Sequence, residues 1–209
     1  RWMFTISMAF KYVSLILAAV IVVVFLVQLI VSGFTDVLVL VSTDVAARPW
    51  ILLTSIFLHS GTNHLLGNIF ALGLFGLLLE NIIGNRKFLV VYFVSGLVAS
   101  TASVFFYDAA LGASGAIFGV LGMLAALRPK MVVYTYGVPM PMVAAAGFWL
   151  LLDLLGVFYP TNVANVAHIA GLFFGAAVGV VMRGRYPEHR EQRRSRKTIS
   201  DKEFNKWED

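Results

Sequence analysis

Cysteine is absent from the 209-residue chain, so neither a disulfide nor a thiolate metal site can belong to its chemistry. The four histidines are too scattered to suggest a closed zinc site, and no metal or organic cofactor is expected. Charge is scarce as well. Only 13% of residues are Asp, Glu, Lys or Arg against 59% hydrophobic, and the mean hydropathy is +0.85. A soluble domain needs more polar surface than that, so the composition is that of a polytopic membrane protein. A net charge of +5 raises the question of nucleic acid, but nine of the sixteen Lys and Arg residues fall after residue 182, outside the apolar part. That distribution is a topology signal, and no nucleic-acid partner is expected.

What is present is a series of apolar runs. Residues 12–32 are almost uninterrupted Val, Ile, Leu and Ala, long enough at 1.5 Å per residue to cover a hydrocarbon core of about 30 Å. This run is longer than a signal-peptide core and predicts a retained first span. Residues 33–50 carry Asp36, Asp44 and Arg48 and read as an interfacial loop. A second span is expected over 62–83, with His64 and Asn68 one turn apart on one face and Glu80 near its end. A third is expected over 88–107. The fourth, 114–127, is stopped by Arg128-Pro129-Lys130; the fifth, 142–158, contains Asp153; the sixth, 163–182, carries His168, Gly171, Gly175 and Gly179. The expected fold is all-α, a six-transmembrane-helix bundle with a short central fourth helix. Segment 1–11 is expected to be a cytoplasmic lead-in, 12–182 the membrane domain, and 183–209 a basic cytoplasmic tail without hydrophobic period, expected to be disordered. Arg1, Lys11, Arg86, Lys87, Arg128, Lys130 and the tail fall on one side of these spans, which by the positive-inside rule is the cytoplasmic side for both termini.

The fourth segment rises only about 21 Å over its fourteen residues, short of the bilayer core. Ser114, in Gly112-Ala113-Ser114-Gly115, therefore starts below the outer surface, at the depth expected for His64, Asn68 and His168. Non-helical backbone at that depth is tolerated where protein buries it or where it lines a wet cavity. Gly171 and Gly175 share a face with His168, Gly115 and Gly119 provide a matching small face after Ser114, and small residues at this spacing let helices approach closely. Ser114 and His168 are thus candidates for nucleophile and general base. The helix N-terminus at Ser114, with the side chains of His64 and Asn68, offers donors for an oxyanion. Nothing in the pattern assigns Asp153 to this group.

These residues resemble the rhomboid family of intramembrane serine proteases. Gly112-Ala113-Ser114-Gly115 is similar to its Gly-x-Ser-Gly motif, His64 to Asn68 to its His-x-x-x-Asn, and Ala167, His168, Gly171 and Gly175 to its Ala-His-x-x-Gly-x-x-x-Gly, in the family's order. His59, Glu80 and Gly84 also look like family positions. The resemblance implies a Ser114–His168 dyad without an acidic third member, and Phe118 as the aromatic side chain packed on the base. One departure stands out: the loop after the first span usually carries Trp-Arg in this family, and here Trp50 is followed by Ile51.

What the resemblance implies is a serine endopeptidase cutting single-span transmembrane proteins near the outer face of the cell membrane, with its site opening to the extracytoplasmic side and substrate arriving between the second and fifth spans. The oligomeric state is left open. Two other readings exist: a non-catalytic relative that binds membrane clients, which would normally lack Ser114 or His168, and a transporter or proton conductor, which would show internal repeats and paired broken helices.

Overall fold

The computed structural model describes residues 12–135, 137–159 and 163–187. The expectations for segment 1–11 and for the tail from residue 188 onward lie outside the described residues.

The apolar runs form long helices. Helix α1 is Val13–Ile30, followed by two short helices, α2 (Phe34–Leu38) and α3 (Ile51–Thr54). Helix α4 covers Thr62–Ile83 and loosens into π geometry over Leu72–Gly76. Helices α5 (Asn85–Ser103), α6 (Ser114–Leu127), α7 (Met142–Phe158) and α8 (Asn165–Met182) complete the bundle. By length and composition, Val13–Ile30, Thr62–Ile83 and Asn165–Arg185 can each cross a membrane. Helices α6 and α7 are shorter apolar segments. The protein is an all-α membrane bundle.

Helix α6 is the hub. Eleven of its fourteen residues are buried, including Gly115, Gly119 and Gly122. The fit on both sides depends on absent side chains. A Cβ at Gly119 would lie 2.1 Å from Ser95 Oγ on α5, and one at Gly122 would lie 2.1 Å from the Leu172 carbonyl oxygen on α8. Looking back from α8, a Cβ at Gly171 would lie 2.1 Å from the Gly115 carbonyl oxygen. The backbones of α6 and α8 are therefore in direct contact, the geometry that small residues permit where burial in lipid gives no hydrophobic drive for helix association.

Two ends of the bundle are fastened differently. At one, Glu80 of α4 caps α1, accepting hydrogen bonds from Val13 N (2.6 Å), Ser14 N (3.0 Å) and Ser14 Oγ (2.6 Å). A carboxylate at a helix N-terminus both satisfies free N–H groups and complements the dipole, so this buried acid has a structural explanation. At the other end, the expected loop 33–50 has more order than anticipated. Strand β1 (Leu40–Val41) pairs antiparallel with β2 (Ala109–Ala110), which joins the loop to the segment leading into Ser114. Arg48 pairs with Asp44 and donates to the carbonyl of Asp36 at 3.1 Å, tying the loop although Ile51 follows Trp50. A hairpin of β3 (Val132–Thr135) and β4 (Val138–Pro141) connects α6 to α7.

The outer surface carries large apolar side chains, among them Leu29, Ile30, Phe70, Val90, Phe105 and Val181. In water such a surface would be a liability; against lipid it is the expected solvent-facing chemistry.

Candidate active site

Ser114 is the first residue of α6, so its own backbone N–H has no acceptor within the helix. The backbone reaches it through Gly112, whose φ of 125° lies in the region that side-chain-bearing residues avoid. The Gly112 N–H donates to the Ser55 carbonyl at 2.9 Å, which pins this turn to the segment after α3. A Cβ at Gly112 would sit 2.7 Å from His64 Cε1 and 3.7 Å from Ser114 Oγ. Gly112 is thus needed twice, for its dihedral and because the His64 ring occupies the space of its missing side chain.

His168 is the fourth residue of α8, one turn in from the helix start. The span read from sequence begins at residue 163, but the helix begins at Asn165, and the Val166 N–H is held by the Tyr107 hydroxyl at 3.0 Å. His168 Nε2 lies 2.7 Å from Ser114 Oγ. Its ring stacks on Phe118, with centroids 4.3 Å apart and planes within 9°. Trp149 of α7 meets Phe118 edge to face at 6.3 Å. Gly171 and Gly175, one and two turns beyond His168, lie against Gly115 and Gly119, so the glycine contacts set the distance between serine and imidazole.

His64 belongs to the first turn of α4. Its Nδ1 faces the Ser60 hydroxyl at 3.0 Å and the Ser60 backbone N–H at 3.5 Å. With Nδ1 accepting from that N–H, the proton of the neutral ring sits on Nε2, which would lie 2.8 Å from a Cβ at Gly112. Asn68 is buried and donates Nδ2–H to the His64 carbonyl at 2.8 Å, leaving its second amide N–H for another partner. His59 lies against His64, with ring centroids 4.9 Å apart. Its backbone is held by Gln28, whose Oε1 accepts from His59 N at 2.9 Å. His59 sits in the loop before α4, where burial, with a smaller contribution from His64, pushes its pKa down to about 4.

A cavity of about 20 Å³ adjoins Ser114, bordered by Ser55, Ser100, Ser103 and Gly112. That is room for about one water molecule among hydroxyl groups. Among the described residues, no group of three or more His, Cys, Asp or Glu is placed to hold a metal ion.

One correction concerns Asp153. The resemblance implies a site without an acid, and the pattern along α7 assigns Asp153 no role in it. The structure places Asp153 Oδ1 2.9 Å from His168 Nδ1. The missed signal was the residue itself: an ionisable group inside an otherwise apolar span is costly and is expected to face the interior. Which interior group it meets depends on how α7 rotates against α8, and periodicity within one helix does not reveal that.

The rhomboid domain family matches residues 46–185. The Rhomboid protease GluP of Bacillus subtilis (strain 168) is 38% identical over 146 residues, covering 66% of this chain and 27% of that protein. RHOMBOID-like protein 6, mitochondrial, of Arabidopsis thaliana is 32% identical over 139 residues, covering 65% of this chain and 44% of that one. The Putative rhomboid protease YdcA of Bacillus subtilis (strain 168) is 31% identical over 132 residues, covering 60% of this chain and 63% of the relative. The chain therefore spans about a quarter to somewhat under two thirds of the length of these relatives.

Proposed function

Since the chain belongs to the rhomboid family, which includes intramembrane serine proteases, we propose that it is a serine endopeptidase that uses Ser114 as nucleophile and His168 as general base. The observation that carries this reading is the 2.7 Å contact between His168 Nε2 and Ser114 Oγ, on an imidazole fixed from one side by Phe118. A serine hydroxyl is a weak nucleophile until a positioned base accepts its proton, and positioned proton transfer contributes typically about 10²–10⁴-fold.

In this mechanism Ser114 Oγ bonds to the carbonyl carbon of the scissile peptide as its proton passes to His168 Nε2. The negative charge that develops on the carbonyl oxygen is met by the Ser114 N–H, His64 Nε2–H and the second amide N–H of Asn68. His168 then gives its proton to the departing amine, and water releases the acyl group by the reverse roles. Gly112 and Gly115 support the turn and the approach of α8.

The substrates of this reading are single-span membrane proteins. Their amides are bonded within their own helix, so a local unwinding must precede attack. The girdle of exposed apolar side chains supports a site reached from within the bilayer. Cleavage in this reading occurs near the outer face of the cell membrane, with both termini cytoplasmic, an orientation that the distribution of Lys and Arg supports.

The test is proteolysis of a single-span substrate by the purified chain in lipid vesicles, alongside Ser114→Ala and His168→Ala. Loss of cleavage in both variants is expected. Cleavage that survives Ser114→Ala overturns the assignment of the nucleophile.

A further inference from the structure

The face that α7 turns inward points to a third member of the site. Of residues 147–159, Asp153 alone is buried, while Leu151, Leu152, Leu154, Leu155 and Val157 are exposed. This is the pattern of a helix against lipid, with leucines outward and its one acid turned to the bundle interior.

Two rungs of an antiparallel contact account for that placement. At the first, Gly156 of α7 faces Asn165 of α8, and a Cβ at Gly156 would come within 2.6 Å of the Asn165 amide. The missing side chain lets the helices close there. Three residues back along α7 and three forward along α8 is one turn on the same two faces, and this second rung is Asp153 against His168. Asp153 is 5% exposed and His168 8%. Asp153 Oδ1 meets His168 Nδ1 at 2.9 Å, and Oδ2 has no hydrogen-bond partner. A buried carboxylate with one of its oxygens unsatisfied is an expensive way to hold two helices together.

We propose that Asp153 is the positioning acid of this site, holding the His168 ring with its proton on Nδ1 so that Nε2 faces Ser114 as an acceptor. The inference rests on the protease reading above for its catalytic consequence, but not for its effect on the ring. A carboxylate can only accept, so Nδ1 carries a proton, and in the neutral ring Nε2 then offers its lone pair. When Ser114 Oγ bonds to the substrate carbonyl carbon, its proton moves to Nε2, and the imidazolium formed lies beside a negative charge on Asp153. Asp153 takes up no proton at any step. Among the described residues, His64 of α4 also acts electrostatically on His168, and His59 lies beside His64. Asp153 is the carboxylate on the α7 side.

The experiment uses the full chain in lipid nanodiscs with ¹⁵N-labelled histidine, as wild type, Asp153→Asn and Asp153→Ala. It reads the protonation pattern of the His168 ring by NMR and, in parallel, kcat and KM on a single-span substrate. The expected wild-type pattern is a protonated Nδ1 and an unprotonated Nε2, with Asp153→Ala shifting the proton in part to Nε2. Both variants are expected to lower kcat by at least about tenfold, within the range that positioned proton transfer supplies, with KM changed less than about twofold. Asp153→Asn keeps the shape of the side chain, so it separates lost charge from lost folding if the alanine variant melts early. A His168 proton on Nε2 in wild type, or wild-type kcat and an unchanged ring pattern in Asp153→Asn, overturns the proposal. If the wild type neither cleaves nor reacts with a fluorophosphonate, the protease reading fails, and the ring pattern still decides the role of Asp153.

Discussion

Replacing Gly171 with alanine perturbs the site without touching any reacting atom. The new Cβ would lie 2.1 Å from the Gly115 carbonyl oxygen and 3.1 Å from its carbon. Carbon and oxygen in contact normally stand about 3.3–3.6 Å apart, so α8 must move from α6 by roughly 1.2 Å. Transmitted one turn along the helix, that shift stretches the 2.7 Å contact between His168 and Ser114 to as much as about 3.9 Å, outside hydrogen-bond range. Overpacking of this kind costs about 1–3 kcal/mol of stability, and a misplacement of about 1 Å at reacting groups can cost about 10²-fold in rate. The assay is kcat on a single-span substrate in vesicles, with thermal unfolding in detergent measured on the same samples. Gly147→Ala on α7 is the control, because nothing lies within 4 Å of its Cβ position. It should leave kcat unchanged and gain up to about 1 kcal/mol from improved helix propensity. Wild-type kcat in Gly171→Ala would refute the argument that glycine contacts set the serine–histidine distance.

Three other outcomes follow from the geometry. Glu80→Ala leaves Val13 N, Ser14 N and Ser14 Oγ without their acceptor. At about 1–3 kcal/mol for an unsatisfied buried group, it should lower Tm sharply while the folded fraction keeps its kcat. His64→Ala removes an oxyanion donor and should lower kcat by about 10²–10³-fold with a smaller change in KM. His59 titrates near 4 in the folded protein against 6.5 ordinarily, so between these values the unfolded chain binds the extra proton. Stability is then full above 6.5 and declines as pH falls toward 4. A Tm–pH curve should show that decline, and His59→Gln should flatten it.

The legible parts of this protein are those written in local sequence. Helix α6 starts at Ser114 and stops at Leu127 because Gly112 turns the chain before it and Arg128-Pro129 follows. Helix α7 begins at Met142, just after the Pro139 to Pro141 segment. The glycine spacing on α6 and α8 announces a close contact, since only small residues at four-residue intervals leave a groove. Less legible is whatever depends on a partner far along the chain. The pairing of Leu40–Val41 with Ala109–Ala110 involves runs of two residues, too short for an alternating pattern to register. The π turn at Leu72–Gly76 lies where Gly76 meets Ser14 of α1, a contact invisible from α4 alone. Asp153 is the instructive case. Its presence in a leucine-rich helix signals an inward-facing acid, but its meeting with His168 is decided by the approach of Gly156 to Asn165.

Covalent capture reads the activation of Ser114 by His168 without any need for a substrate. The full chain in lipid, treated with a fluorophosphonate and digested, should carry the adduct on Ser114. His168→Ala should abolish labelling although the serine is still present. An adduct on any other residue, or labelling that persists undiminished in Ser114→Ala, would mean that Ser114 is not the activated nucleophile.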